Sequence, residues 1–162
     1  LVEICAQLTQ ELQLAVAAAN QAHQGAIDDQ SVAETQYDTL AIEQSYLAQG
    51  QSQRVAKIRQ AIDILTSFQQ RLALAQAEQE LTVKVGSLVQ LAQDKAKQHW
   101  YFIVPVAGGY RCQLTQQSSC YKITLLTPQS PMGAALLAQS LDDDVTLTVV
   151  GKTTTDYLCA IE

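Results

Sequence analysis

The hydrophobic positions of the first 80 residues repeat with a helical period. Leu1, Cys5, Leu8, Leu12, Ala15, Ala19 and Ala22 alternate spacings of four and three, and Val55, Ile58, Ile62, Leu65, Gln69 and Leu72 do the same. Such spacing lays one apolar stripe along a helix, the a/d seam of a coiled coil. No proline occurs before Leu81, and glycine appears there only at Gly25 and Gly50. Between the seams, residues 23–33 read HQGAIDDQSVA, a polar break. The pattern therefore predicts an antiparallel two-helix hairpin over residues 1–80 with its turn within 23–33. A first helix of about 24 residues would run roughly 36 Å. Ala15, Ala19 and Ala22 face Ala41 and Ala48 near the break, so the tip is expected to be slim.

From Leu81 onward the period changes. Val83, Val85, Leu88, Val89 and Leu91 begin a strand pattern, and residues 100–104 form a dense run of β-formers ending at Pro105. Gly108-Gly109 marks a turn. Residues 110–114 and 120–126 read as two strands about a turn at Gln116. Residues 130–141, SPMGAALLAQSL, read as a helix with Ser130 as N-cap and Pro131 in its first turn. Asp142 to Asp144 form a turn, and residues 145–150 and 157–161 close a hairpin. The order β-β-β-β-α-β-β predicts an α+β fold for residues 81–162, one short helix against an antiparallel sheet.

Composition narrows the function classes. Charged residues are only 16% of the 162 residues, and glutamine supplies much of the polar surface. Ten Lys and Arg against 16 Asp and Glu give a formal charge of −6, which argues against a protein whose main act is gripping nucleic-acid backbone. No apolar run reaches membrane-span length. A soluble, cytoplasmic protein is expected. The four cysteines, Cys5, Cys112, Cys120 and Cys159, form no Cys-x-x-Cys pair, and His23 and His99 lie far from them in sequence, so a zinc site is poorly supported. Cys112 and Cys120 are symmetric about Gln116, so a hairpin turning there would set them opposite each other, either as a disulfide or as thiols in a reducing compartment.

Ser130–Leu137 (SPMGAALL) followed by residues 141–145 (LDDDV) resembles the Ser-Pro-led, Leu-Leu-ending helix, acidic turn and strand of the Gre family of bacterial transcript-cleavage factors. Residues 85–91 (VGSLVQL) and 101–105 (YFIVP) resemble two of that family's strands. Tyr37, Glu43, Gln44 and Tyr46 fall where the family tends to carry Tyr, Glu, Gln and an aromatic. The resemblance spans nearly the whole chain. It implies a coiled-coil hairpin over 1–80 followed by an FKBP-like domain over 81–162. It also implies a monomer that docks on RNA polymerase through residues around Ser130, Pro131 and Met132. The hairpin would then enter the secondary channel, where tip carboxylates reach the polymerase's Mg²⁺ and stimulate cleavage of backtracked RNA. Such a factor has no catalytic residues and no cofactor of its own.

The tip departs from the family pattern, whose catalytic acids are spaced Asp-x-x-Glu. Anchored on Tyr37 without a gap, those positions fall on Gln30 and Ala33. With one inserted residue they fall on Asp29 and near Val32, with Glu34 the nearest acid. The candidate acids are therefore Asp28, Asp29 and Glu34, with Asp28 and Asp29 as the metal-facing pair. Each has a plainer reading: Ser31 to Glu34 is a capping box, and Asp28 and Asp29 suit a helix N-terminus. A secondary-channel regulator that does not cleave is the alternative.

Other residues admit two readings. Arg54, Lys57 and Arg59 could face nascent RNA or form a solvated helix face. Trp100, Tyr101 and Phe102 could line a ligand pocket or enter the core. Asp142 to Asp144 lack the spaced oxygens of a calcium loop. Two further classes stay open. One is a peptidyl-prolyl isomerase or chaperone, which would need an aromatic-lined cleft. The other is an adaptor whose hairpin pairs with another chain through an exposed stripe, to which Leu14, Val16 and Ile64 could contribute.

Overall fold

A computed structural model describes residues 1–28, 37–74, 82–116, 119–149 and 152–162. It divides into two compact units, Leu1–Asp63 and Ile64–Glu162.

The first unit is a helical hairpin. Helix α1 spans Val2–Asp28, and helix α2 begins at Tyr37 and runs to Leu74. Ala15 and Leu8 of the expected seam are buried and Leu12, Ala19 and Ala22 are half-buried, as are Ala48, Val55, Ile58 and Ile62 on α2. The antiparallel register is marked by Arg54, whose Nη2 lies 2.7 Å from Glu11 Oε1. Helix α1 continues through His23 and Gly25, so the polar stretch expected to break it is helical as far as Asp28. Polar residues do not by themselves end a helix whose opposite face stays apolar. The expected capping box at Ser31 and Glu34 lies outside the described residues.

The second unit carries a six-stranded sheet: β1 Leu88–Leu91, β2 His99–Ile103, β3 Arg111–Gln116, β4 Ser119–Leu126, β5 Asp144–Val149 and β6 Lys152–Ile161. The spatial order is β3-β4-β2-β1-β6-β5. The sequence order of elements is as expected, but the sheet is mixed rather than wholly antiparallel, because β4 pairs parallel to β2. The β3–β4 hairpin carries the chain to the outer edge and brings β4 back beside β2 in the same direction. Its register pairs Cys112 with Ile123 and Thr115 with Cys120, so the turn lies beyond Gln116. That shift puts Cys112 and Cys120 on opposite sheet faces, one buried and one exposed, and none of the four cysteines is in a disulfide. Of the two alternatives for this pair, the disulfide is therefore excluded by register.

One sheet face holds the core: Val83, Val89, Leu91, Ile103, Leu126, Val145 and Leu158 close around Leu136 of helix α3, Pro131–Leu136. This helix is shorter than the sequence pattern predicts. Leu137 leaves it with ψ 138°, Ala138 turns to φ 63°, and the chain then pairs with the segment before β1. Ala138 N–H donates to Val83 O at 2.9 Å and Val83 N–H to Gln139 O at 2.8 Å. Six residues suffice because tertiary packing, not helix length, holds the segment.

Two glycines are fixed by close approach. Gly86 sits at φ 112°, and a Cβ there would lie 2.8 Å from Leu72 Cδ2 in the last turns of α2. Gly133 faces the Thr127 carbonyl so closely that any side chain would clash with backbone. Gly50 is the opposite case, mid-helix with nothing within 4 Å of its missing Cβ. Gly133→Ala should therefore destabilise the chain by roughly 1–3 kcal/mol through overpacking. Gly50→Ala should stabilise it by about 0.5–1 kcal/mol through helix propensity. Urea denaturation of both variants checks the pair.

Candidate functional site

Three groups of sequence-predicted residues fall in different places. Of the tip acids, Asp28 is the last residue of α1, and Asp29 and Glu34 lie outside the described residues. Arg54, Lys57 and Arg59 are exposed on α2. At roughly 100° per residue, Lys57 lies about 60° around the helix from Arg54, but Arg59 lies about 140° away in the other sense. Arg54 is also neutralised by Glu11. The helix thus brings Arg54 and Lys57 to one side and turns Arg59 from both.

Ser130, Pro131 and Met132 begin α3. The Ser130 hydroxyl accepts from Gly133 N–H at 3.1 Å and donates to Thr127 O at 2.7 Å. Its own N–H also donates to Thr127 O, at 3.0 Å. It is the N-cap that the sequence predicted, satisfying an N–H that the helix cannot. Met132 is half-buried against the core, whereas Pro131 and Gln129 are exposed. The exposed surface at this corner is therefore Gln129 and Pro131, with Ser130 fixing the turn that presents them.

On α2, Glu43, Tyr46, Leu47, Gly50 and Gln51 line a shallow apolar recess, with Tyr46 69% and Leu47 62% exposed. Of the residues expected to form an outer stripe, Leu14 is exposed, while Val16 and Ile64 are half-buried. Among the three sheet aromatics, Phe102 is buried and Tyr101 packs against the core. Trp100 and Tyr121, with Leu88, Leu114, Gln116, Ile123 and Glu162, line a cavity of ≈ 210 Å³. The register pairs Trp100 with Ile123, on the sheet face opposite Ile103 and α3.

The core-side face of β2 and β4 carries a polar cluster that the sequence reading missed. His99 stacks on Tyr101 with ring centroids 4.5 Å apart, and its Nε2 is hydrogen-bonded to Thr124 Oγ1 at 2.8 Å. Burial pushes the imidazole below its ordinary range; Arg111 and Lys122 add to this, while Asp94 opposes it. Burial likewise raises Tyr101, aided by Asp156 and Asp94. Asp94 accepts from the N–H groups of His99 at 2.6 Å and Gln98 at 2.7 Å, and the His99 bond leads in holding its carboxyl below the usual range. Strand alternation could have placed Arg111 and Lys122 each on a face. Only the pairing of β2, β4 and β3 makes those faces one. Among the described residues, no group of three or more His, Cys, Asp or Glu side chains is placed to hold a metal ion. No helix among them is long and apolar enough to cross a membrane.

No family model and no curated protein matches the chain. Solved structures that resemble it include three of one protein type. GreA factor homolog 1 (Gfh1) of Thermus thermophilus is 18% identical, with 98% of this chain and 94% of that chain covered at TM-score 0.36. Thermus aquaticus Gfh1 is 19% identical, with 96% and 92% covered at TM-score 0.35. A further structure of the transcription factor Gfh1 is 19% identical, with 97% and 92% covered at TM-score 0.36.

Ser130→Ala should cost about 0.5–2 kcal/mol, and Ser130→Thr less, because a threonine hydroxyl can both accept from Gly133 N–H and donate to Thr127 O; thermal and urea unfolding separate the two. A second expectation concerns pH. His99 is neutral in both folded and unfolded chains well above its ordinary value of 6.5. As pH falls through 6.5 toward its lowered folded value, only the unfolded chain takes up the proton, so stability is lost. Unfolding midpoints measured between pH 8 and 5 should fall, and His99→Gln should flatten that part of the profile.

Proposed function

We propose that this chain is a Gre-type regulator of transcription elongation. It binds RNA polymerase through the sheet unit and inserts its hairpin tip into the secondary channel. The observation that carries the reading is the Ser130-capped, Pro131-led helix between β4 and β5, in a sheet unit that follows a helical hairpin. These are the residues and the order on which the sequence resemblance rests. Gln129 and Pro131 are the exposed docking residues, and Ser130 positions them. Helix α1, at 27 residues, is roughly 40 Å long.

The chain is not itself an enzyme in this reading. The chemistry and its Mg²⁺ belong to the polymerase, and the share of Asp28, Asp29 and Glu34 is to bring carboxylates to the tip. Because their spacing departs from Asp-x-x-Glu, stimulation is expected to be weak, and regulation without cleavage is the alternative form of the same reading. The prolyl-isomerase class finds a specific feature in the cavity beside Trp100 and Tyr121. At ≈ 210 Å³ it is smaller than common ligand pockets, so it ranks second.

The test is RNA cleavage in a backtracked polymerase complex, comparing wild type, Asp28→Asn with Asp29→Asn, and no factor at several Mg²⁺ concentrations. Binding is measured alongside by competition with a known secondary-channel factor. The double variant should bind like wild type and lose any stimulation, since a tip carboxylate acts at the transition state. Failure of the wild type to compete would remove the polymerase reading. Isomerisation of a proline peptide that Trp100→Ala abolishes would replace it.

A further inference from the structure

The sheet separates its charges. Asp142, Asp143 and Asp144 lie at the start of β5, one edge of the sheet, whereas Arg111 and Lys122 lie on β3 and β4 at the other. Register sets Lys122 beside His99 and Thr124 between Tyr101 and Arg111, so these five side chains share one face. Both cations are exposed. The neighbouring acids, whose charges reach His99 and Tyr101, are held on backbone N–H groups rather than on the two cations. Asp94 caps the N–H groups of Gln98 and His99, and Asp156 accepts from Gln93 N–H at 3.2 Å and from Tyr157 N–H at 2.9 Å. Two exposed cations thus lie on the β4 and β3 side of a pair of stacked rings. Tyr101 leans on the core, and His99, nearer the start of the strand, stays half-buried with Thr124 holding its edge.

An aromatic platform beside cations on an open sheet face suits a ligand with a flat π-surface and an attached anion. We infer that the face formed by His99, Tyr101, Thr124, Arg111 and Lys122 binds a nucleotide unit. Its base stacks on the His99 side of the ring pair, and its phosphate lies between Arg111 and Lys122. The chain's net negative charge keeps such binding local: two phosphates can be neutralised here, not a long stretch of backbone. The site is independent of the polymerase reading, and the unit could be a free nucleotide or part of a single strand.

Fluorescence anisotropy of the full chain with a short labelled single-stranded RNA at low salt tests this. AMP, inorganic phosphate, duplex RNA and polyglutamate serve as competitors. The expected result is saturable binding whose log–log salt slope is about −1 to −2, as for two phosphate contacts. Arg111→Ala with Lys122→Ala should weaken it at least about tenfold with the circular dichroism spectrum unchanged. His99→Ala should weaken single-strand binding about fivefold or more, the loss of one stacked base. Competition by AMP but not phosphate supports the proposal with a free nucleotide as ligand; displacement only by longer single strands supports it with RNA as ligand. Absence of binding overturns it, as does unchanged binding by the Arg111/Lys122 variant or loss instead on Lys57→Ala with Arg59→Ala. Equal competition by duplex or phosphate overturns the stacking role. Displacement by polyglutamate alone would make this a surface for acidic peptides and likewise overturn the proposal.

Discussion

The Thr127 carbonyl is the point on which the sheet unit turns. It receives the N–H and the hydroxyl of Ser130, and the bare Cα of Gly133 lets the first turn of α3 sit directly against it. Three constraints on one oxygen bend the chain from β4 into α3 and aim Leu136 into the core. Pro131 suits this turn because its position needs no N–H donor. The return from α3 depends on the same geometry. Ala138 takes a positive φ, and residues 138–139 pair with Val83, tying the segment before β1 to the end of the helix. Loss of that seat would therefore reach the core, the β4 exit and the approach to β1 together.

Low charge density gives the chain's few ions unusual weight. Glutamine surfaces do not repel or pair at long range, so the placement of ten cations and 16 acids sets the local fields. On the hairpin, Arg54 answers Glu11 and fixes register more than stability, since an exposed pair contributes little. On the sheet, acids that could have neutralised Arg111 and Lys122 bind backbone N–H groups instead. A carboxylate held as a turn cap keeps its charge, which still reaches His99 and Tyr101, but its position is fixed by the backbone rather than by the two cations.

The central strand shows a different economy. β1 has only four residues, yet it joins β2 on one side and β6 on the other, with a bulge at Gln90–Leu91 where β6 shifts register. Val89, Gln90 and Leu91 are all buried. Gln90 lies where alternation would otherwise expose a polar residue, and the Cys159 thiol reaches its carbonyl at 3.3 Å. A buried strand needs little length when neighbours satisfy its backbone on both edges.

The sequence alone determined the hairpin seams, the order of strands and helix, the Ser130 cap and the acidic turn, because each rests on local periodicity or on a side chain reaching backbone a few residues away. Tertiary structure decided what local rules cannot reach. It made the sheet mixed by returning β4 beside β2, set the β3–β4 register that parts Cys112 from Cys120, and ended α3 after Leu136. It also decided which residues meet. Ser130, Pro131 and Met132 were legible as a motif, but only packing shows that Met132 leans inward and Pro131 outward. Arg54, Lys57 and Arg59 read as one patch, but helix rotation turns Arg59 away from the other two. His99, Tyr101, Arg111, Lys122 and Thr124 come from three strands, β2, β3 and β4, that the sheet sets side by side in the order β3-β4-β2. No spacing along the chain encodes their meeting, because non-local strand pairing is what brings them to one face.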